Sequence, residues 1–258
     1  MCDNLLQLDW VRALARINKT FTVERALKSS EMLRASKRMA EYMHFVVAQK
    51  NDNIWIAQRE GRAKNSNDLT QPAILKMMAM GGEGTPLERI KSLNLVPLSI
   101  SYEYDPCDFL KAKEFQQKRD IEGFKKSKQD DLDNMRTGIF GYKGRVHYCA
   151  AAPVNTWIDR LADLPKAEFF KALAEGIDRA IHSGYLITPG NCVAADELAG
   201  EERYAGNGYT PEQKAAFDKY IDERLALIDL PNKDEAFLRR MMLEMYANPL
   251  KNYEAARR

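Results

Sequence analysis

The residues best suited to chemistry form a charged turn directly after a short apolar run. Residues 54–57 (Ile-Trp-Ile-Ala) predict a buried strand, and a glycine then allows the chain to turn sharply. In open α/β sheets, ligands bind outside such carboxyl ends of strands, and cationic side chains there attract anions. The sequence predicts an anion site at this turn, although a solvated loop with no ligand is the alternative on composition alone. The turn residues are Arg59, Glu60, Gly61, Arg62 and Lys64.

The turn would have to be positioned by a sheet, and the periodicity of the chain predicts one. Strand patterns alternate with stretches of helical spacing, which is typical of α/β proteins with a largely parallel sheet. We therefore expect a mixed, largely parallel sheet flanked by helices in residues 1–155, and a helical C-terminal region packed on it in residues 156–258. The predicted strands lie near residues 20–24, 53–58, 95–103 and 144–149.

Several helix boundaries are marked in the sequence by capping residues. Thr85 with Glu88 and Thr210 with Gln213 have the spacing of capping boxes, each with a proline at the first helical position. Pro249 is expected to break a helix near the end of the chain. The charge-dense residues 111–133 predict a solvated helix face or a mobile flap more than a binding tract.

Composition excludes several classes of protein. The 258 residues carry a formal net charge of +2, so no overall field favours nucleic acid. Four scattered cysteines without a C-x-x-C pair, together with three histidines, argue against a zinc cluster, and we expect no metal and no cofactor. No apolar run approaches the roughly 20 residues of a membrane span. We expect a cytoplasmic protein whose membrane contact, if present, is peripheral on the inner face.

Three blocks, taken in order, resemble the glycerophosphate acyltransferase family, which includes lysophosphatidic acid acyltransferases. They are residues 19–25 (Lys-Thr-Phe-Thr-Val-Glu-Arg), 58–62 (Gln-Arg-Glu-Gly-Arg) and 96–100 (Val-Pro-Leu-Ser-Ile). The corresponding family patterns are Phe-x-x-Arg, Phe-Pro-Glu-Gly-Thr-Arg-Ser and Val-Pro-Val. A later segment, residues 144–154, is similar to the glycine-to-proline strand of the family. The resemblance covers roughly residues 4–155.

The resemblance implies roles for individual residues. Arg25 would contact the phosphate of the acyl acceptor, and Glu60 and Gly61 would shape the acceptor site. The family arginine that follows the glycine by two residues is replaced here by Ala63, so Arg62 or Lys64 would take its place. This departure leaves the identity of the acceptor open, and an amino-acid lipid is one alternative to a glycerol phosphate.

The family's catalytic block, His-x-x-x-x-Asp, has no counterpart in this chain. None of His44, His147 and His182 is followed by an aspartate at the required spacing, and His44 is expected to be a packed or surface residue. We therefore expect that the chain is truncated ahead of this block, or starts at an internal methionine, and that it does not catalyse as it stands.

The function implied by the resemblance is acyl transfer in phospholipid biosynthesis. The fatty acyl group would come from acyl-CoA or acyl carrier protein and pass to the hydroxyl of a phosphate-bearing lipid acceptor. Two alternatives remain at this point: a non-catalytic protein that binds an anion or lipid without the base, and a helical scaffold formed by residues 155–258.

Overall fold

The computed structural model describes residues 9, 12, 13, 17, 29–59, 61 and 63–258. The described chain divides into two compact units. The first contains residues 29–56 and 72–94, and the second contains residues 57–71 and 95–258 apart from positions 60 and 62. The predicted strand at 20–24 lies outside the described residues, as do three of the predicted site residues, Arg25, Glu60 and Arg62.

The first unit is helical in its described part. Helix α1 (Ser29–Ala48) packs on α2 (Pro72–Met78), which in turn contacts α3 (Pro86–Ser92). The capping box before α3 is confirmed, because Glu88 N donates to Thr85 Oγ1 and Thr85 N donates to Glu88 Oε2. The buried side chains of this unit include Ala40, Met43, Leu75, Met78 and Ile90.

The prediction of a largely parallel sheet is wrong. The protein is mostly helical, and the described residues contain a two-stranded antiparallel sheet of β1 (Leu98–Tyr102) and β2 (Val146–Ala150). Leu98 is paired with Ala150, and Tyr102 is paired with Val146. The two predicted strands near 95–103 and 144–149 therefore exist, but they run in opposite directions.

The connection between the two strands explains their direction. Helices α4 (Asp108–Asp120) and α5 (Lys128–Phe140) each have 13 residues, so each is about 20 Å long. Two consecutive helices of equal length allow the chain to leave the end of β1 and return to the same place, so that β2 starts beside the end of β1. A parallel pair would instead need a crossover that returns the chain to the start of the first strand.

The predicted strand at residues 53–58 is also wrong. Residues 51–57 form no regular secondary structure, and Trp55 is 69% exposed between the half-buried Ile54 and Ile56. The alternation of burial is that of a strand, but no described strand is paired with this run. An apolar run of this length is stable as a strand only when its backbone groups have partners.

After β2, the described part of the second unit contains two short 3₁₀ helices, Val154–Thr156 and Ile158–Leu161. Four α-helices follow: α6 (Lys166–Ser183), α7 (Pro189–Ala199), α8 (Pro211–Ala226) and α9 (Glu235–Ala256). Helix α9 packs on α7, α4, α6 and α8, and Pro249 does not end it. The predicted break at this proline is therefore wrong. The fully buried apolar side chains of this core include Val193, Ile221, Leu238 and Met242.

Candidate functional site

The predicted turn lies in a segment, residues 57–71, that the second unit holds at several points. Gln71 N donates to Gln58 O, and Thr70 donates through both N and Oγ1 to Asp178 Oδ1 of α6, at 2.7 and 2.6 Å. Burial raises the pKa of Asp178, and the two bonds from Thr70 partly offset this rise. Asn248 of α9 donates to the carbonyl of Asn65. The segment is thus tied to two helices far from it in the sequence.

Gly61 occupies the turn position that the sequence assigned to it. Its φ of +74° lies in the left-handed region that favours glycine, and an added Cβ would meet nothing within 4 Å. The backbone conformation, and not a close neighbour, therefore accounts for glycine at this point. Arg59, which precedes the turn, is paired with Asp68 of the same segment, with 3.7 Å between Nη1 and Oδ1.

Lys64 lies in a group of three lysines around one carboxylate. Its ammonium contacts Glu114 Oε1 of α4, and the same oxygen lies 3.0 Å from Lys118 Nζ. Lys126 Nζ, from the connection between α4 and α5, lies 2.8 Å from Glu114 Oε2. Glu114 is only 3% exposed, whereas the side chains of Lys64, Lys118 and Lys126 are 26%, 51% and 22% exposed. We call these four residues the lysine cluster.

The ionisation of Lys64 is perturbed by its neighbours in the lysine cluster. Burial and the neighbouring ammonium groups of Lys118 and Lys126 lower the pKa of Lys64 to about 7. Lys64 shares its contact with Glu114 with the two other ammonium groups. Asp131 of α5 also acts in favour of the charged form. The three ammonium groups thus share one buried carboxylate, and the Asp131 carboxylate also acts on Lys64.

The histidines occupy structural positions. His182 is buried in α6, and its Nε2 donates to the carbonyl of Asp68, at 2.9 Å. His44 is buried in α1, where Nε2 donates to the Met78 carbonyl and Nδ1 lies 3.1 Å from Ser92 Oγ. His147 is half-buried on β2, opposite Ser101 of β1. The described contacts of His44 and His182 fix the two rings through backbone carbonyls rather than carboxylates.

A second polar group joins three helices of the second unit. Asp108 is fully buried at the start of α4 and accepts from Arg224 Nε, Tyr220 Oη and Tyr246 Oη, at 2.7, 2.6 and 2.8 Å. The Arg224 guanidinium also lies over the Phe109 ring, 4.4 Å from its centroid. Burial raises the pKa of Asp108, and Arg224 and the tyrosine hydroxyls partly offset the rise. All the charges of this group are compensated, so it is a structural network.

Of the predicted site residues, the structure describes Gly61 and Lys64, and Lys64 is the one placed among other charged groups. The roles that the resemblance implies for Arg25, Glu60 and Arg62 involve positions outside the described residues and stay predictions. Sequence reasoning missed Glu114, Lys118 and Lys126, because residues 111–133 were interpreted as a solvated face or flap. The available signal was the spacing of four residues between Glu114 and Lys118.

No family model, curated protein or solved structure matches this chain. The resemblance to acyltransferases therefore depends on the quoted sequence blocks. In the described part of the chain, no helix is long and apolar enough to cross a membrane. The same residues contain no group of three or more His, Cys, Asp or Glu side chains that could hold a metal ion.

Proposed function

We propose that this protein functions in fatty acyl transfer to a phosphate-bearing lipid acceptor. In this reaction the acceptor hydroxyl oxygen attacks the carbonyl carbon of an acyl thioester, on CoA or on acyl carrier protein. The C–S bond breaks, an ester bond forms, and the hydroxyl proton leaves through a base to the departing thiolate. The three ordered blocks of sequence support this reaction class, because the resemblance assigns Arg25 of the first block to the acceptor phosphate and Glu60 and Gly61 of the second block to the acceptor site.

The observation that carries the proposal is the pairing of two of the resembling segments. The block at residues 96–100 enters β1, and the segment that begins at Gly144 enters β2, so the two are neighbours in space. The pairing continues past the strands, since Pro97 O accepts from Ala151 N, and Leu95 O accepts from Val154 N. Pro97 precedes the strand, where its missing N–H removes no bond from the ladder.

The contribution that we assign to these residues is binding, because none of the three histidines is followed five residues later by the aspartate of the family pattern. General-base catalysis needs a group within hydrogen-bond reach of the acceptor hydroxyl and with a pKa near the working pH. His44 and His182 are buried and held by backbone carbonyls. Position 49, five residues after His44, is a glutamine, and position 187, five residues after His182, is an isoleucine.

Two assays on the purified 258-residue chain test the proposal. Calorimetric titration with acyl-CoA and with lysophosphatidate should each show saturable binding, and lysophosphatidylcholine should bind more weakly because it lacks a phosphate monoester. Incubation with radiolabelled acyl-CoA and lysophosphatidate should give no transfer above background. Failure of both ligands to bind would refute the proposal. Robust transfer would refute our assignment of a purely binding role.

A second candidate is a protein that binds an anionic lipid without acyl transfer. The lysine cluster favours it, because ammonium groups that converge from separate parts of the second unit can contact a phosphate without any base. Fusion of the chain to the His-x-x-x-x-Asp segment of a glycerophosphate acyltransferase separates the two. Acyl transfer by the fusion, lost when its histidine is changed to alanine, supports the first candidate. Lipid binding by the fusion without transfer supports the second.

A further inference from the structure

We infer that the exposed face of the β1–β2 sheet binds the same face of a second copy of this chain, so that the protein forms a two-fold symmetric dimer. Six side chains define this outward face: Leu98, Ile100, Tyr102, Val146, Tyr148 and Ala150. The dimer goes beyond acyl transfer and does not depend on it, since it follows from the register, burial and sizes of these side chains in the second unit.

The register of the sheet places all six side chains of the outward face on one side. They form three directly opposed pairs: Leu98 with Ala150, Ile100 with Tyr148, and Tyr102 with Val146. Side chains alternate between the two sides along each strand, and opposed residues share a side. The outward face is therefore continuous across both strands, and none of its side chains carries a charge.

The outward face is exposed, whereas the other side of the sheet is covered. Its five large side chains are between 36% and 61% exposed, and Tyr148 is the most exposed of them. On the covered side, the buried Ser99 donates to the Ile181 carbonyl of α6, and Leu186 N donates to Ser101 Oγ. Antiparallel sheets with one solvated face normally turn apolar side chains inward and polar ones outward. This sheet has the reverse pattern, which indicates that another surface covers its outward face.

The area of the outward face is sufficient for a specific contact. Pairing continues beyond the strands, where Ala151 N donates to Pro97 O, and the exposed Val96 and Ala152 extend the apolar alternation. An aromatic side chain presents roughly 150–250 Å² when fully exposed and an aliphatic one somewhat less, so the exposed fractions of this surface amount to about 600 Å² per copy. Two copies would bury roughly 1,200 Å² together, which exceeds the total of about 1,000 Å² that a specific interface needs.

The lack of charge on the outward face favours an apolar partner over an anionic membrane. Recruitment to anionic lipid takes a cluster of Lys and Arg side chains beside the apolar surface. Arg145, next to β2, is instead paired with Glu103, with 3.1 Å between Nε and Oε2. Lys143 donates to the carbonyls of Ile139 and Gly141. A face of the same apolar kind is therefore the best match, and a second copy supplies one.

The sizes of the side chains fit a copy that runs in the opposite direction. A two-fold axis between the two faces, perpendicular to the strands, places the end of each face over the beginning of the other. Tyr148 then lies over the partner's Ala150, and Val146 lies over the partner's Ala152. Large side chains fill the space above small ones, as in a packed core. Because both copies use the same surface, the assembly is complete at two copies and both outward faces are covered.

Sedimentation equilibrium of the full chain tests for the dimer. Over roughly 1–200 μM the protein should pass from monomer to dimer, because an interface at the lower end of the size range binds in the micromolar range. A protein that remains monomeric over this range would overturn the inference. Assemblies that grow beyond two copies would also overturn it, because the proposed contact ends at the dimer.

Substitutions locate the interface. Tyr148→Lys should weaken dimerisation by about a hundredfold or more, because the two-fold axis places two ammonium groups in the apolar contact. In dilute solution, where the wild-type protein is monomeric, Tyr148→Lys should have nearly the wild-type Tm, since this side chain is exposed in the single chain. The matched control is Leu227→Lys, which changes an exposed apolar residue directly after α8. Equal dimer affinities for Tyr148→Lys and Leu227→Lys would overturn the interface.

An exchange of side-chain sizes tests the two-fold arrangement. Ala150→Tyr should weaken dimerisation, because it places a second tyrosine against the partner's Tyr148. Addition of Tyr148→Ala should restore the dimer, since the large and small side chains then exchange places. A double variant that dimerises no better than Ala150→Tyr alone would overturn the arrangement.

Vesicles of phosphatidylcholine and phosphatidylserine test the alternative occupant of the outward face. The dimer should not co-sediment with them, because its outward faces are covered. Co-sedimentation of the wild-type protein that is lost in Tyr148→Ser would assign the outward face to a lipid surface and overturn the inference.

Discussion

Replacement of Asp108 by alanine should strongly destabilise the second unit. The carboxylate is fully buried and accepts from Arg224, Tyr220 and Tyr246, so its removal leaves a guanidinium and two hydroxyls without their acceptor. Breaking a buried pair from one side costs about 3–5 kcal/mol. The Arg224 side chain is 19% exposed and keeps a bond to the Pro106 carbonyl, which lets it recover some solvation. We expect a loss of about 4 kcal/mol.

The loss is measured by urea and thermal unfolding followed by circular dichroism. For a unit of this size, each kcal/mol lowers Tm by about 2–4 °C, so Tm should fall by roughly 8–16 °C. The matched control is Asp222→Ala, which removes an aspartate from an exposed pair with Arg239, at 2.6 Å, and should cost less than about 1 kcal/mol. Asp108→Ala that is no more destabilising than Asp222→Ala would refute the reasoning.

A double variant separates an unpaired charge from a simple cavity. If the unpaired guanidinium is the main cost, Asp108→Ala with Arg224→Met should be more stable than Asp108→Ala alone, because no buried charge is then left without a partner. If the double variant is less stable than Asp108→Ala alone, the main cost comes from lost packing at Arg224 and not from its unpaired charge.

The remaining predictions concern single side chains. Between about pH 7 and 10 the unfolded chain binds more protons at Lys64 than the folded chain does, because the pKa is lowered to about 7 from 10.5. The free energy of unfolding therefore rises with pH in this window. In urea unfolding, Lys64→Met should show a smaller rise with pH than the wild-type protein, and equal rises in the two proteins would contradict the lowered pKa. Gly82→Ala should cost about 2 kcal/mol, because φ is +76° and the new Cβ would lie 2.6 Å from the His44 ring. The control is Gly123→Ala, where φ is +68° and an added Cβ would meet nothing within 4 Å, so it should cost about 1 kcal/mol. If Gly82→Ala and Gly123→Ala cost the same, the contact with His44 does not contribute. Ser99→Ala should cost about 1 kcal/mol in thermal unfolding, because the buried hydroxyl donates to the Ile181 carbonyl, and no change in Tm would mean that this bond contributes nothing.

The charged turn shows how far a sequence block can be interpreted. Its residue types indicated a sharp turn at Gly61, and the positive φ that the structure shows there is a property of a single residue. The partner of Lys64 could not be read in the same way. Glu114, Lys118 and Lys126 lie more than 45 residues further along the chain, and only the fold brings them to Lys64.

The sequence by itself determined the local elements of this protein. The capping boxes at Thr85 and Thr210 depend on residues three positions apart, and both are present in the structure. The two strand patterns that became β1 and β2 were also correct, because period-two alternation with β-branched and aromatic residues favours an extended chain wherever it finds a partner.

Tertiary structure alone decided how these elements are combined. Strand direction depends on where the chain returns, and the paired helices α4 and α5 return it to the end of β1, so the sheet is antiparallel. The run at residues 54–57 has the apolar pattern of a strand but no described partner, so its pattern did not become one. The burial of Asp108 and Glu114 was likewise decided by the fold. A carboxylate is stable inside a protein only when cations or hydroxyls from distant segments compensate it, and local sequence does not specify those neighbours.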